Sequence, residues 1–192
     1  MSDFGIIPLR TLLQTGKDEE SVSKFLSSFI CGKDEDLQSF LREKAIIHEK
    51  RDLSRTYLIL RNDNGSASGI AGYITLALTV LSVPKNNELS SKIVRDMNLN
   101  RDGRSPAYLI GQISKNDSEE KGFGRVLMDI GLKILETGHE MFGCRTVCVD
   151  CREPLLDYYE KYGFKRIGEP SEDGLFRLVF LFSNKSYKNK SD

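Results

Sequence analysis

The sequence predicts a mixed α/β fold, a sheet with helices packed on it, and its patterning gives three reasons for that. From Tyr108 onward, apolar strand-like runs alternate with helical patterns. Before that point, two strand-like runs flank a turn in the manner of a hairpin. Nearer the start, two sets of apolar residues recur at helical spacing and place helices ahead of the hairpin.

The first set is Val22, Phe25, Leu26 and Phe29, and the second is Leu37, Phe40, Leu41, Ala45 and His48. Asp34-Glu35-Asp36 stands where the second helix should begin, which suits both an N-cap and the positive end of the helix dipole. The hairpin consists of Thr56 to Leu60, the turn-like Asn62-Asp63-Asn64-Gly65, and a long apolar run from Ile70 to Val83. Residues 84–106 are mostly polar, with a short helical pattern around Ile93, Val94 and Met97, and read as an insertion or mobile loop outside the core. Then come a strand from Tyr108 to Ser114, a glycine-containing loop and a helix from Gly122 to about Gly138. A strand from Arg145 to Cys151, a helix from Pro154 to Tyr162 and a strand from Leu175 to Phe182 complete the pattern. Residues 1–184 are expected to form a single domain and residues 185–192 a polar tail.

With 192 residues and 39% hydrophobic content, the chain is long enough for one ordinary core and short for two. Lys plus Arg and Asp plus Glu both total 28, so net charge gives no reason for broad binding to nucleic acid, and any RNA contact must come from a local patch. No run approaches the roughly 18 apolar residues of a membrane span, and no basic region followed by an apolar run opens the sequence, so the cytoplasm is the expected location. Cys31, Cys144, Cys148 and Cys151 are too few and too clustered for a disulfide framework. Cys148 and Cys151 form a CxxC within a strand-like run, where alternation would send them to opposite faces, and no second pair exists. Reduced thiols without a metal are therefore expected.

Lys121-Gly122-Phe123-Gly124-Arg125 lies between an apolar strand and a helix whose inner face is Phe123, Val126, Leu127, Ile130 and Ile134. Closely spaced glycines let a backbone approach a ligand, and the first turn of a helix offers unpaired NH groups at its positive end. Lys121 and Arg125 add two cations there, which suits a pyrophosphate cradle, although a tight turn packed under a helix would use the same residues. The GxxxxGK[ST] pattern is absent, and Leu127 occupies the third glycine position of a GxGxxG fingerprint, so an ATP or dinucleotide site is not expected.

Downstream, Tyr158, Tyr159 and Tyr162 crowd one short helix that ends at Gly163. Tyr158 and Tyr162 share a face at i and i+4 and suit the core, leaving Tyr159 to face a cleft. A phenol with a pKa near about 10 is protonated at neutral pH and can donate to a leaving thiolate, whose own pKa is about 8.5. Tyr159 can equally be an ordinary core tyrosine.

The two segments, in this order, resemble the GNAT N-acetyltransferase family. The loop is similar to the motif [QR]xxGx[GA], with Gly122 and Gly124 at the glycine positions and Glu119 where Gln or Arg is usual. The helix is similar to the later YExxGF element, matched by Tyr159, Glu160, Gly163 and Phe164. Further upstream, Phe29-Ile30-Cys31-Gly32, Leu37, Phe40-Leu41, Ala45 and Ser54-Arg55-Thr56-Tyr57 resemble the bacterial GNAT toxins that acetylate aminoacyl-tRNA. The resemblance runs through about residues 25–167, interrupted at 84–106.

The resemblance implies a GNAT-like mixed, mostly antiparallel sheet flanked by helices, and an acetyl-CoA site. Pyrophosphate would be held by the amides of Lys121, Gly122, Phe123, Gly124 and Arg125, with pantetheine along Ile113-Ser114-Lys115 and Tyr159 as the general acid. The implied partners are acetyl-CoA, aminoacyl-tRNA and a neutralising antitoxin protein, with a homodimer left open. At Glu119, a carboxylate beside a pyrophosphate is unfavourable unless it points away. RNA contacts would fall on Arg95, Arg101, Arg104, Lys115 and Arg152, residues that equally suit a solvated charged surface. Two alternatives stand beside the toxin reading: an acetyltransferase for a small amine or a protein amino group, and a non-catalytic acetyl-CoA-binding module.

Overall fold

The computed structural model of the chain describes residues 4–183 apart from Lys17, Asn64 and Gly65. The tip of the expected hairpin turn, Asn64-Gly65, and the polar tail lie outside the described residues. Two compact units form. One runs up to Ala77 and takes in Ile110–Lys133; the other is Leu78–Leu109 together with the chain from Ile134 on.

In the first unit, β1 (Phe4–Pro8) lies beside β2 (Arg55–Asp63), and β2 beside β3 (Ser66–Ser82), both antiparallel. β4 (Arg104–Lys115) follows β3 in the strand order. Register shifts at Ile59/Leu60 and Arg61/Asn62 mark irregularities in the β2–β3 ladder. Among the described residues, four α-helices and one π-helical turn fill the stretch between β1 and β2. α1 (Leu9–Gln14) leaves β1 directly, and α2 (Glu19–Leu26) is capped by Asp18, whose carboxylate accepts from the Ser21 amide at 2.7 Å. α3 (Glu35–Ser39) starts at Asp34, which caps the amides of Asp36 and Leu37 as the sequence suggested. A π-helical turn, Phe40–Lys44, joins it to α4 (Ala45–Lys50). Val22, Leu26, Leu41 and Ala45 of these segments, with Phe29 from the turn after α2, form one core with Leu58, Leu60 and Tyr73 of the sheet. Tyr73 is fully buried, and its hydroxyl donates to the Leu37 carbonyl at 2.6 Å. Glu49, also buried, accepts from the Thr56 amide at 2.7 Å and from Arg55 at 3.2 Å, which fixes α4 against the start of β2.

In the second unit, β5 (Thr146–Cys151) pairs antiparallel with β7 (Phe176–Leu181), and β7 with the two-residue β6 (Lys165–Arg166). Here β4 neighbours β5. α7 (Leu156–Lys161) follows β5 through a 3₁₀ turn at Glu153–Leu155. The segment 84–106, expected as an insertion outside the core, holds α5 (Ser91–Asp96) and buries Met97 with Leu81, Val83, Ala107, Cys148, Ile167 and Val179. α6 (Phe123–Phe142) contributes its first half to the first unit and its second half to the other. Within the first unit it comes so close to β3 that a Cβ on Gly131 would lie 2.3 Å from Ile74 Cδ1.

The class is the mixed α/β one expected, with antiparallel pairing through β1–β2–β3 and β5–β7–β6. β1, α1 and β6 have no counterpart in the sequence reading. No helix among the described residues is long and apolar enough to cross a membrane.

Candidate active site

β4 ends at Lys115, and the chain turns through Asn116–Gly122 into α6. Asn116 anchors this turn to β3: its amide donates to the Ala71 carbonyl at 2.7 Å and its side chain to the Ile70 carbonyl at 3.1 Å. The same side chain accepts from the Ser118 amide and hydroxyl at 3.1 and 3.0 Å, an Asx-type turn within the loop. Lys115 Nζ donates to the Glu119 carbonyl at 2.7 Å, so this lysine, a candidate for RNA, serves the loop. Gly122 has φ +104 with no atom within 4 Å of a would-be Cβ, so glycine is needed there for its backbone, and open space lies above it.

The loop opens into a depression of about 900 Å³ lined by Phe4, Arg61, Glu119, Lys121, Gly122 and Arg125, among others. The first turn of the twenty-residue α6, its positive end, lines it, and Lys121 and Arg125 are exposed there. Of the amides expected to hold a pyrophosphate, those of Phe123 and Arg125 donate within the turn, to Glu120 at 3.3 Å and Gly122 at 2.9 Å. Phe4 packs its ring 4.9 Å from that of Phe123, which ties β1 to the start of α6.

Glu119, which departs from the family motif, is ion-paired with Arg61 of β2. Its side chain is 9% exposed, and Arg61 also donates to Ser118 Oγ at 3.1 Å. Sequence reasoning missed Arg61, because its partner lies 58 positions away.

Along β4, Ser114 is buried and Ile113 and Lys115 are half-buried. The Ser114 hydroxyl donates to Cys31 Sγ at 3.2 Å, and its carbonyl would lie 2.8 Å from a Cβ on Gly72, so β3 and β4 meet here at glycine distance. The upstream Ile30-Cys31-Gly32 is clamped to the loop after β4. Asp117 donates its amide to the Ile30 carbonyl at 2.9 Å, and its carboxylate accepts from the Gly32 amide at 2.8 Å. Two stretches singled out for the resemblance thus sit together.

In the second unit, burial on α7 is the reverse of the expected pattern. Tyr159 is 3% exposed, whereas Tyr158 and Tyr162 are half-buried and meet each other at 5.4 Å. The cause is the end of the helix. Gly163 at φ +88 folds the chain back, the Phe164 amide donates to the Tyr159 carbonyl at 3.2 Å, and the buried Phe164 ring covers Tyr159. Burial raises the Tyr159 pKa, with Cys151 adding to the shift, so its phenol is neutral across the physiological range.

Cys148 and Cys151 are both buried, the former pushed up to about 12 and the latter to about 11 by burial, so neither is a ready thiolate. Both are buried cysteines of the strand β5. No group of three or more metal-ligating side chains occurs among the described residues. Arg95, Arg101, Arg104 and Arg152, the remaining RNA candidates, are exposed in the second unit.

No family model matches this chain, and no curated protein matches it by sequence. Solved structures do match its fold. AtaT complexed with acetyl-methionyl-tRNAfMet superposes with a TM-score of 0.70 at 19% identity, covering 93% of this chain and 95% of that one. The fold is the GNAT fold. A Tyr→Phe mutant of KacT matches with a TM-score of 0.69 at 17% identity, covering 94% and 95%. A Tyr→Phe mutant of the AtaT toxin, bound to the C-terminus of the antitoxin AtaR and acetyl-CoA, matches with a TM-score of 0.63 at 19% identity, covering 93% of each chain.

Proposed function

We propose that this chain is an acetyl-CoA-dependent N-acetyltransferase that acetylates the α-amino group of aminoacyl-tRNA, acting in the cytoplasm as a translation-blocking toxin restrained by an antitoxin protein. The observation that carries this reading is the likeness over 93% of the chain to AtaT, whose complex contains acetyl-methionyl-tRNAfMet. The depression at the start of α6, with Gly122 open above its backbone and Lys121 and Arg125 at its rim, suits the pyrophosphate of acetyl-CoA. Pantetheine runs along Ile113, Ser114 and Lys115 in this reading.

The amine attacks the thioester carbonyl carbon, forming a C–N bond, and the backbone amide at Ser114 polarises the carbonyl oxygen. As the C–S bond breaks, the thiolate takes the phenolic proton of Tyr159. Solvent receives the proton lost from nitrogen and restores the phenol. Burial keeps the Tyr159 phenol protonated, so a proton is available to donate, although the same burial makes the phenol a weaker acid than it is in water. The four exposed arginines, Arg95, Arg101, Arg104 and Arg152, are the residues for the tRNA backbone, which needs a local patch in a chain of zero net charge.

That zero net charge also favours a second reading, a small amine or protein amino group as acceptor. Expression in growing cells separates the two. Growth arrest that disappears with Tyr159→Phe supports the toxin, whereas unimpaired growth with soluble native protein favours the second acceptor class.

A further inference from the structure

A carboxylate at Glu119 should repel the phosphates of a coenzyme, yet it belongs to the loop that lines the depression. With Arg61 present, the charged residues lining that depression are three cations, Arg61, Lys121 and Arg125, against two carboxylates, Glu119 and Glu120. Without Arg61 the charges would balance and the attraction for a polyanion would be lost. Lys115 does not take over this role, because its ammonium group bonds the backbone carbonyl of Glu119. Arg61 reaches the carboxylate itself and spans to Ser118 as well.

We propose that Arg61 is a charge-compensating positioning residue of the phosphate site, holding the Glu119 carboxylate so that the loop stays attractive to the phosphates of acetyl-CoA. The assignment rests on reading this loop as the acetyl-CoA site. The pair is a two-residue solution in which Arg61 of β2 supplies the charge that the motif position itself lacks. Its two halves are expected to be strongly non-additive, since removing the arginine strands a nearly buried carboxylate while removing both removes the problem.

Titration calorimetry with acetyl-CoA tests this on the native chain, Arg61→Met, Glu119→Gln and the double variant, with thermal melts confirming that each folds. Arg61→Met is expected to weaken binding by about tenfold or more, and Glu119→Gln to bind as tightly as the native chain or tighter. The double variant should recover to within about threefold of native affinity. A staple that only joins β2 to the loop predicts the opposite for the double variant, which would bind no better than Arg61→Met, and that result overturns the assignment. Native binding that is unaffected by Arg61→Met overturns it as well and leaves the acetyl-CoA reading standing. A native chain that binds no acetyl-CoA removes both.

Discussion

Phe164 covers Tyr159: its amide donates to the Tyr159 carbonyl at 3.2 Å, and its ring meets the Tyr159 ring edge-on with centroids 5.7 Å apart. No described residue hydrogen-bonds the Tyr159 hydroxyl, so the ring packs while the phenol is available for chemistry. Tyr159→Phe should therefore keep the fold within about 1 kcal/mol and keep acetyl-CoA affinity. Turnover should fall by about 10² to 10⁴, the usual share of a general acid, with calorimetry and steady-state rates separating the two effects.

High pH should unfold this protein earlier than its size suggests. Cys148 is raised to about 12 and Cys151 to about 11, against 9.0 for a free thiol, and Tyr159 is raised too. Protonation is thus favoured in the folded state. Stability is fully present below about pH 9 and falls as pH rises towards 12. Chemical denaturation at pH 8, 10 and 11 checks the sign, and replacing Cys148 with Ala should flatten the slope.

Two glycines separate backbone from side-chain crowding. A Cβ on Gly72 would meet the Ser114 carbonyl at 2.8 Å, whereas one on Gly131 would meet only the flexible tip of Ile74 at 2.3 Å. Gly72→Ala should cost about 1–3 kcal/mol because β3 and β4 cannot part without losing their pairing. Gly131→Ala should cost less, since Ile74 can change rotamer and alanine favours the helix. Thermal melts of both variants rank them.

The acceptor amine must arrive neutral, and the proposed mechanism supplies no base. An α-amino group with pKa near about 8 is partly neutral without help, unlike a lysine side chain near about 10.4. The rate at saturating acetyl-CoA should therefore rise with pH and level off above about 8. Faster acetylation of lysine side chains than of α-amines would contradict this.

Much of this was legible from local pattern. Gly122 and Gly124 at the entry to an apolar helix mark the turn into α6, and Asp34 marks a helix start, because each of those signals lies within a few residues. β1 escaped notice because Phe4–Pro8 is five residues long, ends in proline and runs straight into α1. Met97 reads in the sequence as part of a polar loop because its apolar partners, such as Leu81 and Val179, lie far off in sequence. The same holds for Arg61 and Glu119, whose pairing exists only once β2 and the loop after β4 are folded. Helical spacing does not mark Tyr159 as the buried tyrosine because it ranks faces of a continuing helix, and α7 stops at Lys161 before Gly163 turns the chain back.

The central claim is tested most directly by transfer of labelled acetyl from acetyl-CoA into charged tRNA, with the native chain and Tyr159→Phe in parallel. Label in the α-amide of the aminoacyl group for the native chain, reduced at least about a hundredfold in the variant, is the predicted result. No label in tRNA from a native chain that binds acetyl-CoA would contradict it.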